Sequence, residues 1–343
     1  MTRGFRGERW RPPAPGFPVP RRSDKRTLPP LTFLPMPGHG PEHVVVDGSG
    51  RLLTGLADGK IVRVSPDGGT ETIANTGGRP LGMELAGEDT LVVGDAERGL
   101  LRVRPVEPGA NVEVLCDVVD GERLVFCSCP AIAADGTIYF SQSSRRYDLA
   151  HYKGDLLEHS GTGRVLRYRH GASGVGCADG QVDVVAEGLQ FANGLLLTPD
   201  ESSLIVAETG GYRVTRVHLD GAAGPAATEP VIENLPGFPD NLTAGPSGLI
   251  WIAMASPRDA TLDLLLPRPS WLRAAVWALP DRLKPAPKDM AWALAIDAAG
   301  RVVHDLRGWH VGYHEVTSVR EHDGVLYLAS IEEAALARAE LPS

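Results

Sequence analysis

The chain has 343 residues, 43% of them hydrophobic and 22% charged, with 40 glycines, 28 prolines and a formal net charge of −9. That length can bury a large core, as two ordinary domains or as one large all-β domain. The first thirty residues hold eight Arg or Lys against Glu8 and Asp24, a net +6 that leaves −15 for the body, and an acidic body argues against a nucleic-acid groove.

Residues 1–30 have no apolar segment after their arginines, so they predict neither a secretory signal nor a membrane anchor but a basic, Pro-rich arm, lying on the surface or disordered. No run of about 18 apolar residues occurs, so no membrane span is expected, and the protein is expected to be soluble and cytoplasmic. Four cysteines, Cys116, Cys127, Cys129 and Cys177, are too few for a disulfide framework, although a bridge from Cys116 to Cys127 or Cys129 stays open.

Leu31–Leu34 predicts a short strand that could close a ring by pairing with the end of the chain. A first unit runs from Gly40-Pro41-Glu42-His43 through a turn at Gly48–Gly50 to the alternating strand Lys60–Val64. A second starts at Arg79 and contains Thr90–Gly94 and Leu100–Val103. A third starts at Phe126-Cys127-Ser128-Cys129 and resumes at Gly163–Tyr168 after an insertion, Asp148–Gly163.

The fourth and fifth units show the repeat most openly. Phe191-Ala192-Asn193-Gly194 and Phe238-Pro239-Asp240-Asn241 each lead into an apolar run, a Pro/Asp/Ser/Gly turn and a strand, Ser203–Ala207 or Leu249–Ala253. The fifth unit is interrupted over about 259–288, where Leu262–Leu266 and Trp271–Leu279 read as helices forming a cap over one end. The sixth comprises Val316–Val319, the turn Glu321–Gly324, Val325–Ser330 and Ala335–Leu341. Six units of about 52 residues predict an all-β, six-bladed β-propeller over 31–343.

The innermost strands of a propeller line a central channel, so the residues that begin them converge on one axis. Glu42, Arg79, Ser128, Asn193, Asp240 and the Glu315–Thr317 stretch are thereby predicted to form a ring. Carboxylates with carboxamide oxygens suit a hard divalent cation, Ca²⁺ first, then Mg²⁺, Mn²⁺ or Zn²⁺. The bland alternative is that Asn and Asp before turns cap backbone N–H groups. His314, next to Glu315, is a candidate base, and His43 should point away from the ring by strand alternation. Cys127 and Cys129, two apart, should share a face with Ser128 on the other. They read as small residues packed between blades, or as a nucleophile at the channel.

Phe191-Ala-Asn193-Gly194, Ala207-Glu208-Thr209, Tyr212-Arg213-Val214, Leu235–Asn241, Glu321–Tyr327, Gly40-Pro41-Glu42 and Gly55–Gly59 fall in order along residues 38–341. In these segments the chain resembles the strictosidine synthase-like branch of the SMP-30/gluconolactonase family of six-bladed propellers. The resemblance implies that Glu42, Asn193 and Asp240 hold a cation, with Arg79, Ser128, Cys129 and Asn241 toward substrate. Two positions depart from the family: Cys127-Ser128-Cys129 stands where an Asn is usual, and Thr317 stands where strictosidine synthase has its catalytic Glu. Glu315 would face the same side of a strand as Thr317.

The leading expectation is therefore a metal-dependent hydrolase of a small-molecule lactone or ester. The cation would polarise the carbonyl, and Asp240 or an activated water would act as base or nucleophile, with Glu315 and His314 as further candidates. No Gly-x-Ser-x-Gly elbow is present. A strictosidine synthase-like condensing enzyme and a non-catalytic binding propeller are the alternatives.

Overall fold

The structure, a computed structural model, describes residues 5–171, 180–219, 226–280 and 288–342. Cys177 and residues 281–287 of the expected helical insertion lie outside the described residues. Six four-stranded antiparallel sheets, each a blade, account for the ring.

From the axis outward, blade one is Val45–Val46, Leu52–Gly55, Lys60–Val64 and Thr70–Asn75, and blade two is Pro80–Leu85, Leu91–Asp95, Gly99–Arg104 and Asn111–Cys116. Blade three is Cys127–Ile132, Ile138–Gln142, Gly163–His170 and Gly180–Leu189; blade four is Ala192–Leu197, Ser203–Glu208, Arg213–His218 and Thr228–Ile232. Blade five is Gly237–Ala244, Ile250–Pro257, Met290–Ile296 and Val302–Trp309. Blade six is Val316–His322, Val325–Ser330 and Ala335–Glu340, completed by the early strand Thr32–Pro35 in register Thr32↔Arg338 to Pro35↔Ala335. That closure covers an edge that would otherwise be free.

Turn chemistry fixes the hairpins. Asp47 Oδ1 accepts from the N–H groups of Ser49 and Arg51, and Asp297 Oδ1 does the same for Ala299 and Arg301. Each loop then places a glycine at positive φ, Gly50 and Gly300. Apolar faces meet between neighbouring blades: Val165 and Ala186 of blade three pack with Leu195 and Val206 of blade four, and Ile205 of blade four with Met254 and Trp292 of blade five. The expected strands are found within one to four residues of their ends. The fourth strands of blades one to five and Met290–Ile296 were not foreseen, because these runs are apolar throughout or broken by polar residues, and carry no clean alternation.

Helix α1 (Tyr152–Glu158) lies in the third-blade insertion, and helices α2 (Ala260–Leu265) and α3 (Ser270–Trp277) in the fifth-blade insertion. Asp259 Oδ1 caps α2 through the N–H of Leu262 at 2.9 Å. Helices α1 and α3 pack together, with Trp277 edge-on to Tyr147 and His151. The described part of the basic arm lies on the surface. Trp10 stacks on His159 at 4.2 Å, Gly16 N donates to Asn234 O, and Thr27 N donates to Arg307 O. No helix among the described residues is long and apolar enough to cross a membrane.

Candidate functional site

The innermost strands share one irregularity. In blade three Cys127 pairs with Gln142 but Pro130 with Phe140; in blade four Ala192 pairs with Glu208 but Leu195 with Val206; in blade five Pro239 pairs with Met254 but Leu242 with Ile252. Blade two shows the same shift between Pro80 and Met83, and blade six between Val316 and Ser318. Each is a β-bulge, one extra residue on the inner strand, and bulges re-aim side chains. The bulge residues of blades two to six, together with Glu42, form a ring of one residue per blade: Glu42, Leu81, Ser128, Asn193, Asp240 and Thr317. All six line one cavity of about 240 Å³.

The structure corrects three expectations. Arg79 is not in the ring. It sits two residues earlier, buried, with Nη1 donating to Gly40 O at 2.9 Å and its N–H held by Asp95, while Leu81 takes the ring position. Cys127 and Cys129 do not share a face. The extra residue breaks the alternation, so Cys127 packs with Leu100 and Phe140, whereas Cys129 Sγ reaches Asn241 Oδ1 at 2.7 Å. Glu315 is not on a strand; it precedes Val316 at φ 46, yet still lines the cavity.

Within the ring, Ser128 Oγ donates to Asn193 Oδ1 at 3.1 Å, and Asn193 Nδ2 donates to Asp240 Oδ1 at 2.7 Å. Asn241 Nδ2 donates to Glu42 Oε1 at 2.8 Å, and Thr317 Oγ1 to the Glu42 carbonyl at 2.6 Å. Glu42 Oε2 is buried without a hydrogen-bond partner. Burial pushes the Glu42 carboxyl up to about 7, against the Asn241 hydrogen bond and the Arg79 charge. Burial, then the neighbouring Glu42 charge, holds Asp240 well above the usual carboxylate range. Burial and then Glu332 push Glu315 up to about 7.

Backbone approach at the ring is close. A Cβ on Gly194 would collide with the Asp240–Leu242 backbone, and one on Gly94 with the carbonyl of Ser128. Glu208, fully buried at the end of its strand, accepts from Arg213, Thr215 Oγ1 and the Gln190 N–H. This fixes the loop that carries Thr209, whose Oγ1 donates to Pro239 O and meets Asn193 Nδ2.

Above this polar floor the walls are apolar. Phe126, Phe191 and Phe238 stand two residues before their ring positions, with Phe126 and Phe191 edge to face at 5.2 Å. Leu149, Tyr152 and Leu156 come from the third-blade insertion, and Leu262, Leu265, Val276 and Trp277 from the fifth. Sequence reasoning missed Leu81, Thr209 and the three phenylalanines; the recurrence of Phe two residues before the polar position in units three, four and five was the available signal.

Of the other expected site residues, His314, Cys129 and Asn241 do not line this cavity, nor does His43, which was expected to lie away from the ring. His314 is half-exposed and pairs with Glu333 at 2.6 Å. His43 is buried one position beyond the ring, and burial followed by the Arg320 charge lowers it to about 3. No bridge joins Cys116 to Cys127 or Cys129, so the open pairing is not formed. Burial first, then Glu42, raises the Cys129 thiol well above its ordinary value, the opposite of an activated nucleophile.

The donor set at the floor is two carboxylates and a carboxamide. Among the described residues no group of three or more His, Cys, Asp or Glu is placed to hold a metal ion. The two-carboxylate set with its orphaned Glu42 Oε2 nevertheless fits a hard cation, since two buried carboxyls with no bonded cationic partner among the described residues are neutralised either by taking up protons or by binding one.

Six blades closed by an N-terminal strand around a channel with an acidic floor define a class of propeller. A strictosidine synthase-like N-terminal family model matches residues 27–64 and a strictosidine synthase model residues 129–222. Adipocyte plasma membrane-associated protein of Salmo salar is 34% identical over 88% of this chain and 76% of its own. Strictosidine synthase-like 6 of Arabidopsis thaliana is 29% identical over 80% and 72%. Among solved structures, a gluconolactonase of Xanthomonas campestris superposes with a TM-score of 0.63 at 16% identity, covering 96% of this chain and 97% of that one. Regucalcin, a calcium-binding protein of Agrobacterium tumefaciens, gives 0.60 at 13%, covering 92% and 95%. The chain belongs to the SMP-30/gluconolactonase/strictosidine synthase-like family of six-bladed β-propellers.

Proposed function

We propose that the protein is a metal-dependent hydrolase of lactones or esters, acting on a small molecule with a substantial apolar part. The observation that carries this reading is the pairing of Glu42 and Asp240 at the cavity floor, buried, neutralised by no bonded cation and leaving Glu42 Oε2 free. The similarity to a gluconolactonase and to a calcium-binding regucalcin supports a divalent cation there, calcium first. Glu42, Asn193 and Asp240 would hold it.

Such a cation supplies Lewis-acid polarisation of a carbonyl and a lowered pKa for an attacking water. The chain's own groups do the rest. Asn241 and Thr317 orient Glu42 through its Oε1 and its carbonyl, and Ser128 and Thr209 orient the Asn193 carboxamide. Phe126, Phe191, Phe238 and Leu81 hold the apolar part of the substrate and exclude water from the carbonyl. Glu315, at the cavity wall and pushed up to about 7 by burial, would give a proton to the departing alkoxide.

Elemental mass spectrometry of purified protein, followed by a lactone and ester screen with and without chelator, tests the reading. About one divalent cation per chain and chelator-sensitive hydrolysis are expected. Protein that neither contains nor takes up Ca²⁺, Mg²⁺, Mn²⁺ or Zn²⁺ overturns it.

A further inference from the structure

Helix α3 has its polarity inverted. Its sequence, Ser270-Trp-Leu-Arg-Ala-Ala-Val-Trp277, contains one charged residue, and Arg273 points inward, fully buried, donating to the carbonyls of Leu157, Glu158, Gly7 and Glu8. Val276 and Trp277 also face inward and line the cavity. What remains outside is Trp271, 69% exposed, with Ala275, Ala278 and Leu279. Helix α2 repeats the pattern, with Leu262 and Leu265 on the cavity and Leu264 60% exposed. A surface helix is ordinarily apolar toward the core and charged toward water. This cap is apolar on both sides, and its outer face lacks a partner among the described residues.

The charge around that face identifies the partner. The arm crosses the edge of the cap, with Gly7 and Glu8 on Arg273 and Trp10 N on Leu266 O. Arg6 and Arg9 of the arm, and Arg268 just before α3, are exposed and make no ion pair among the described residues. The arm is strongly basic while the body is strongly acidic. A surface that attracts this end and repels the rest is anionic, and one that also takes up Trp271, Leu264 and Leu279 is a bilayer interface.

We propose that the outer face of the α2–α3 cap, with the basic arm beside it, docks on an anionic lipid surface. Docked in this way, the protein turns the reverse of its cavity wall toward the membrane, and a lipophilic ligand would reach the cavity by passing the cap. The docking itself does not depend on hydrolysis or on a bound metal.

Co-flotation of the full chain with phosphatidylcholine vesicles, with and without phosphatidylserine, is the test. Binding is expected on the phosphatidylserine vesicles and should weaken as salt rises. The Leu264→Ser/Trp271→Ala double variant should lose roughly tenfold or more in partitioning, and Arg9→Gln about fivefold. Both sites are exposed, so circular dichroism should be unchanged. Failure to float with either vesicle, or unchanged partitioning of the double variant, overturns the proposal. A wild-type dimer that the double variant converts to a monomer also overturns it, by giving the face to a second copy of the chain.

Discussion

Asn193 and Asp240 occupy the same bulge position in consecutive blades, and the Asn193 carboxamide donates to the Asp240 carboxylate at 2.7 Å. Two residues 47 positions apart in sequence thereby become one unit of the cavity floor. Gly194 allows this contact, since its missing Cβ leaves room for the Asp240–Leu242 backbone. Under the hydrolase reading, Asp240→Ala should lower turnover by about a hundredfold or more, with the far-ultraviolet spectrum unchanged. Wild-type turnover in this variant would remove Asp240 from the chemistry.

Glu42 couples stability to pH. Its carboxyl is raised from the ordinary range to about 7, so the folded chain holds this proton more tightly than the unfolded chain. Its contribution is complete at low pH and is lost as pH climbs from about 4.5 through 7, by about 3 kcal/mol if fully expressed. In chelator, Glu42→Gln should therefore melt progressively above wild type as pH rises from 5 to 8, on the order of several degrees. A melting difference that does not vary with pH would contradict the burial of a titrating Glu42.

Glu315 predicts a kinetic signature. Under the hydrolase reading Glu315 gives a proton to the leaving group and must be protonated, so kcat/KM should fall above a pH near 7, and Glu315→Gln should abolish that limb while slowing turnover by about a hundredfold. Survival of the limb in the variant would assign it to another group.

Cys129 acts through Asn241. Its thiol donates to Asn241 Oδ1, and Asn241 donates in turn to Glu42 Oε1. Under the metal-dependent hydrolase reading, Cys129→Ala should keep turnover at saturating metal but weaken cation affinity, by up to about tenfold, as loss of an outer hydrogen bond to a ligand does. The native thiol should resist iodoacetamide until the chain unfolds, because burial keeps it protonated.

Glu208 is the strongest structural prediction. It is fully buried and serves Arg213, Thr215 and Gln190 together, so Glu208→Ala leaves a guanidinium without its partner. Arg213 is partly exposed and regains water, so the cost comes mainly from the unpaired Thr215 hydroxyl, the Gln190 N–H and the emptied site, and a loss of about 2–3 kcal/mol is expected in urea unfolding.

The sequence by itself determined the six-bladed ring, its closure by the strand near residue 32, the two insertions and the residues Glu42, Asn193 and Asp240. Asp-Gly turns, alternating strands and a repeated Phe-x-Asn/Asp pattern are local signals that the chain writes in order. The tertiary structure alone decided which of the flanking residues reach the axis. A single extra residue in the inner strands shifts the side-chain alternation, bringing Leu81 into the ring, singling out Thr317 from the predicted Glu315–Thr317 stretch, leaving Arg79 behind the ring and separating Cys127 from Cys129. Period-two reasoning cannot see a bulge, because a bulge depends on pairing with the neighbouring strand. The cap's outward apolar face was hidden for a related reason: only packing against α1 and the arm shows that Arg273, the one charge of α3, is spent inside.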